Sequence, residues 1–212
     1  MKKIIGYFSS SPTWNRISEK EYRKQFTHDL AIYYLKYEIF ESIEREMTFI
    51  LKDEAVGFYA GLRFLFPEVN HLAHLYWGHR GGEWRKLETR LTSLYMKRFC
   101  IFIPDGGIYY LVFRHGLMHS HHPKWVKKDK RIGWYISNRE KLEEEFSIFI
   151  PEFTEKVKLS IEKFITELEI EKKNNKRHRL NNFLDAIADS GKILQKKDLR
   201  LYYRKKKKRK KV

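Results

Sequence analysis

The chain has 212 residues, with 44 Lys and Arg against 27 Asp and Glu, for a formal net charge of +17. That length suits one domain with a small appendage. Hydrophobic residues make up 42% and aromatics 16%, enough to build a core and to exclude wholesale disorder. Cys100 is the only cysteine, which excludes a disulfide scaffold. The surplus of positive charge points to a polyanionic partner, most simply nucleic acid.

The apolar run Ile4-Ile5-Gly6-Tyr7-Phe8 is too short for a signal peptide, and no run approaches the length of a transmembrane helix. With one free cysteine, the expectation is a cytoplasmic protein without a membrane partner. Ser18 and Glu21 form a capping-box pattern that opens a long helix. Tyr22, Phe26, Leu30, Tyr33, Tyr37, Phe40 and Met47 follow at near-helical steps and predict its buried stripe. Asp53 caps a predicted second helix ending at Phe66 before Pro67, and a third runs from Val69 to Trp77. A loop over Gly78-His79-Arg80-Gly81-Gly82 precedes a predicted helix from Trp84 to Phe102. Cys100 lies in the apolar run at its end and reads as a buried, unreactive thiol.

After the turn at Pro104-Asp105-Gly106-Gly107, a short apolar helix is predicted from Ile108 to His119, then a basic loop to Arg131. Ile132 to Ile136 reads as a strand, and Ser137 with Glu140 caps a predicted helix through Phe149. Pro151 suits the first turn of the next helix, whose stripe is Phe153, Val157, Ile161, Phe164 and Leu168. Lys172 to Arg179 is a basic break, and a last helix is predicted from Leu180 to Leu194. Arg204 to Lys211 is an unbroken run of positive charge; it cannot pack against itself and is expected to be a disordered tail. The fold expected is a mainly α-helical bundle with at most a short strand pair. Its segments are 1–17 at the N-terminus, a helical domain 18–175, a helical extension 176–203 and the tail 204–212.

Phosphate-binding Gly-Lys-Ser/Thr loops, dinucleotide glycine patterns, Gly-x-Ser-x-Gly elbows, Cys-x-x-Cys pairs and His-Glu-x-x-His are all absent. What stands out is Arg114-His115-Gly116-Leu117-Met118-His119, followed by Ser120-His121-His122 and a loop with Lys124, Lys127, Lys128, Lys130 and Arg131 against Asp129. Metal-free RNA cleavage must remove a proton from the 2′-hydroxyl, return one to the leaving 5′-oxygen and stabilise charge on the phosphate. Histidine, with an unperturbed pKa of about 6.5, serves as base or acid at neutral pH. Arginine presents a planar fork of donors to phosphate. The five cations next door suit the flanking backbone.

Arg114-x4-His119, with His115 in the second position, resembles the motif of the HEPN superfamily. That resemblance implies an all-helical bundle, a homodimer whose two motifs meet across the interface and, in active members, metal-independent endoribonuclease activity with no cofactor. It also implies roles as toxins or in phage defence, and makes an antitoxin or nucleotidyltransferase partner plausible. Arg114 would then stabilise the scissile phosphate, His119 would be the acid/base, and His115 would orient or assist. Lys124, Lys127, Lys128, Lys130 and Arg131 would hold substrate. At about 100° per residue, Arg114 and His119 sit about 140° apart on a helix, so two copies across a dimer axis suit a composite site better than one.

A second match, Arg23-x4-His28, has Lys24 in the second position and falls within the predicted first helix. Two alternatives stay open. One is a non-catalytic helical RNA- or DNA-binding protein, with Trp125, Trp134 and Tyr135 as stacking surfaces among lysines. The other is a metal-dependent nuclease using His119 and His121, with His71 and His74 at helical spacing.

Overall fold

The computed structural model describes residues 23–52, 57–78, 81–100, 110, 113, 135–137 and 147–190. Within them the protein is mainly α-helical. Six helices are seen: α1 His28–Tyr33, α2 Glu41–Lys52, α3 Gly57–Trp77, α4 Gly81–Tyr95, α5 Ile150–Lys173 and α6 His178–Ser190. Wider π-helical turns join α1 to α2 over Tyr34–Phe40 and continue α4 over Met96–Cys100. Two short strands, β1 Tyr135–Ser137 and β2 Ser147–Phe149, pair in parallel, with Ile136 opposite Ile148.

The centre of the fold is α3. Leu62, Leu65, Phe66, Val69, Leu72, Ala73, Leu75 and Tyr76 are all buried along it, so it is apolar around most of its circumference. Helices α2, α4, α5 and α6 all pack against it. Pro67 does not end this helix as its sequence position suggests; α3 runs through it from Gly57 to Trp77. An interior proline costs about 3 kcal/mol, whereas each fully buried Leu, Val or Phe contributes about 1.5–3 kcal/mol. Leu65, Phe66, Val69 and Leu72 around it outweigh the loss. Pro67 itself is exposed, on the side where water can replace its missing N–H.

The first predicted helix is also different. Residues 23–25 are helical, Phe26 and Thr27 break the helix, and α1 restarts at His28 with the Thr27 side chain accepting from Leu30 N at 3.4 Å. Of the predicted stripe, Phe26 and Met47 are buried and Leu30 and Phe40 pack half-buried against the core, while Ala31, Leu35, Ile39 and Ile43 complete the inward face. Tyr37 is 42% exposed. A strict four-residue repeat drifts around an α-helix by about 40° per step, since each residue turns about 100°. The wider turns over Tyr34–Phe40 take back part of that drift and keep the aliphatic residues inward.

The C-terminal half follows its pattern closely. Pro151 lies in the first turn of α5, and Phe153, Val157, Ile161, Phe164 and Leu168 are all buried. Leu180, Phe183, Leu184 and Ala186 of α6 join the same hydrophobic cluster, so helices on both sides of the 175/176 boundary share one core. Residues 147–149 are strand, where the sequence pattern extends a helix through Phe149. Pairing with Tyr135–Ser137 satisfies their backbone instead, and Ile148 is buried beneath. Cys100 is buried, and burial pushes its thiol up to about 12, as an inert core residue requires. Among the described residues no helix is long and apolar enough to cross a membrane. The N-terminal segment 1–17 and the basic tail 204–212 lie outside the described residues.

One tight approach closes the bundle. Gly78 ends α3 with φ of 71°, and an added Cβ would collide with the Asn182 backbone of α6. Gly78→Ala should lose about 1–2 kcal/mol from the left-handed conformation alone, and more from that collision. Urea denaturation of the two proteins measures it.

Candidate functional site

Two buried rings lead into the motif segment. Tyr110 and Phe113 are fully buried, and Phe66 of α3 lies 6.3 Å from the first and 6.2 Å from the second, stacked on Phe113. The Tyr110 hydroxyl donates to Glu88 Oε1 at 2.9 Å and accepts from Asn70 Nδ2. Asn70 Nδ2 also donates to Glu88 Oε1 at 2.6 Å. A half-buried carboxylate from α4 and an amide from α3 thus gather around one phenol. In the chain, Arg114 directly follows Phe113. Arg114, His115, His119, Lys124, Lys127, Lys128, Lys130 and Arg131 lie outside the described residues, as do His121 and His122.

The competing Arg23-x4-His28 pair sits in a different setting from its predicted helix interior. The break at Phe26 and Thr27 separates the two residues. Arg23 pairs with Asp185 of α6, and His28 Nε2 lies 3.7 Å from Glu171 of α5. Both side chains face carboxylates of other helices.

On the next face of α3, His71 Nε2 and the Tyr34 hydroxyl are hydrogen-bonded at 3.0 Å. Burial, assisted by His74, lowers His71 to about 4, so it is neutral at physiological pH. Burial and the charges of Glu68 and Glu38 push Tyr34 up to about 12. His71 therefore has one ring nitrogen committed to a phenol. Among the described residues no group of three or more His, Cys, Asp or Glu is placed to hold a metal ion.

A third polar cluster closes the C-terminal end of α3. Glu167 Oε2 accepts from the Tyr76 hydroxyl at 2.9 Å and from Arg179 Nε at 3.1 Å, while Oε1 accepts from Arg98 at 3.0 Å. The Arg179 guanidinium stacks on Tyr76 at 3.8 Å from the ring centre. Burial and the bond to Glu167 push the Tyr76 hydroxyl up to about 12. This carboxylate of α5 joins α3, α6 and the π turns after α4, and both its oxygens accept hydrogen bonds. It is a structural clamp.

No family model, curated protein or solved structure matches the chain. Of the three clusters, the one at Tyr110 adjoins residues with catalytic chemistry in sequence. Its members, Asn70 and Glu88, carry no motif signal. In the sequence Tyr110 stands only as one residue of the apolar stretch that precedes Arg114.

Tyr110→Phe should cost about 1–3 kcal/mol, because it removes the hydrogen bonds to both Glu88 and Asn70; thermal unfolding measures it. The His71 effect has a definite sign. The unfolded chain takes up a proton near 6.5 and the folded chain only near 4, so this contribution is complete above 6.5 and is lost as pH falls towards 4. Stability should drop by up to about 3 kcal/mol across that window, and His71→Gln should flatten the drop in urea titrations run at each pH.

Proposed function

We propose that this protein is a HEPN-like, metal-independent endoribonuclease. The observation that carries the reading is the run Arg114-His115-x3-His119, which begins at the residue after the buried Phe113. The mainly helical fold is the class of architecture the resemblance implies, and Tyr110 and Phe113 give the chain leading into the motif a fixed anchorage in the core. Rigid support of this kind is what a catalytic constellation requires.

In this reading the RNA phosphate lies against the Arg114 guanidinium, which offsets the charge that builds on its oxygens as the bond order changes. His119 takes the proton from the 2′-hydroxyl or delivers one to the departing 5′-oxygen. With two copies present, the second His119 is available for the other transfer, and His115 orients the pair. The 2′-oxygen bonds to phosphorus as the 5′-oxygen leaves, giving a 2′,3′-cyclic phosphate and a 5′-hydroxyl. Lys124, Lys127, Lys128, Lys130 and Arg131 neutralise the flanking phosphates. Toxin or phage-defence roles, with an antitoxin or nucleotidyltransferase partner, follow from the same resemblance.

RNA incubated with the protein in EDTA should be cut to cyclic-phosphate ends, and Arg114→Ala and His119→Ala should each lower the rate by at least about 100-fold. Cleavage stopped by EDTA would instead select the metal reading, and binding without cleavage in all three proteins the non-catalytic one. A strictly monomeric active protein on sizing would overturn the composite site.

A further inference from the structure

The basic break between α5 and α6 is absorbed by none of the three clusters as a whole. Residues 172–179 read Lys-Lys-Asn-Asn-Lys-Arg-His-Arg, with five cationic residues and no acidic one. Exposure alone would make this an ordinary solvated turn. Its backbone, however, is held at several points. Asn174 N donates to the Ile170 carbonyl at 3.1 Å and Lys176 N to the Glu171 carbonyl at 2.9 Å. Asn175 takes the left-handed conformation, φ of 53°, that asparagine tolerates well. Arg177 reaches back to the carbonyls of Arg23 and Phe26, at 3.3 and 3.1 Å, and so ties the turn to residues 23–26.

The surrounding carboxylates separate the structural cations from the others. Lys172 pairs with Asp29 at 2.6 Å, and Arg179 with Glu167. Glu171 accepts from the backbone amides of Arg179 and Leu180, which uses the N-terminus of α6 internally. Lys173 and Lys176 are exposed and make no ion pair among the described residues, although Glu169 lies one turn before Lys173. Lys24 is exposed as well, and is the next residue after the Arg23 carbonyl that Arg177 grips. Three uncompensated lysines therefore stand around one braced turn, with Arg177, His178 and the amides of Asn174 and Asn175 beside them.

We propose that this turn, with Lys24, is a binding surface for the sugar–phosphate backbone of single-stranded RNA. The ammonium groups neutralise phosphates, and the asparagine amides suit 2′-hydroxyls, which both donate and accept. An anionic membrane fits less well, because residues 172–178 contain no apolar side chain to insert at the interface. The surface is independent of Arg114 and His119, so it stands whether or not the protein cuts RNA.

The test uses the full chain with His119→Ala in every protein compared, so that a fluorescein-labelled single-stranded RNA keeps its 2′-hydroxyls and is bound without rapid cleavage. The Lys24→Gln, Lys173→Gln, Lys176→Gln triple variant is compared with a Lys52→Gln, Lys86→Gln, Lys163→Gln variant of equal charge, whose lysines are also exposed. Each neutralised phosphate on a single strand contributes about 0.7 to the slope of log affinity against log salt. The first variant should bind more weakly, with a slope shallower by about 2, and the second should match the parent. Unchanged binding in the first variant, or an equal loss in both, would overturn the proposal. So would selective loss of binding to phosphatidylserine vesicles with RNA binding intact. Matching thermal midpoints show that the variants remain folded.

Discussion

The burial of α3 is the constraint from which the rest of the structure follows. A helix that is apolar around most of its surface can be stable in water only when other helices cover it. Here α2, α4, α5 and α6 do so, and the fully buried Phe66 and Tyr76 lie towards its middle and its C-terminal end. Phe66 meets Tyr110, Phe113 and Phe153, while Tyr76 meets Tyr95, Phe99 and Phe164. Chain segments far apart in sequence are thus positioned by contacts to one helix. The cost of Pro67 is small against that coverage.

The polar residues of α3 are placed where this coverage ends. Asn70 reaches Glu88 and Tyr110, His71 reaches Tyr34, and the Tyr76 hydroxyl reaches Glu167. Each is satisfied by a group from another helix, as burial demands. At Glu167 both carboxylate oxygens accept from side chains of other elements, and at His71 one ring nitrogen meets the Tyr34 phenol. The cluster at Tyr110 differs in its position along the chain, because it secures residues that run directly into the arginine and histidines of the proposed site.

Positive charge is likewise sorted by the fold. Arg23, Arg98 and Arg179 serve carboxylates on other helices, and Arg177 serves backbone carbonyls. Their charge is largely committed to structure. Lys173 and Lys176 lie on the turn that Arg177 braces, and Lys24 follows the Arg23 carbonyl it grips. A net charge of +17 indicates a polyanion without saying where it binds. The distinction between committed and uncommitted cations is visible only when their partners are.

The sequence alone determined the fold class, the buried cysteine and α5. In α5 the apolar residues step by four, four, three and four, a spacing only an α-helix can turn to one side. It also singled out Arg114, His115 and His119, since a motif depends on residue types at fixed spacing along one chain. It misjudged the region before α2 because aromatic and aliphatic stripes compete there, and local spacing carries no information about which face a neighbour will cover. It misjudged Pro67 and residues 147–149 for the same reason: packing on α3 in one case and pairing with β1 in the other override local preference. Only the tertiary structure decided that Glu88 and Asn70 hold Tyr110, that Glu167 clamps four elements, and that Arg177 ties the Lys172–Arg179 break to the carbonyls of Arg23 and Phe26. These depend on contacts between residues distant in the chain, where the partner's identity and distance set the energy.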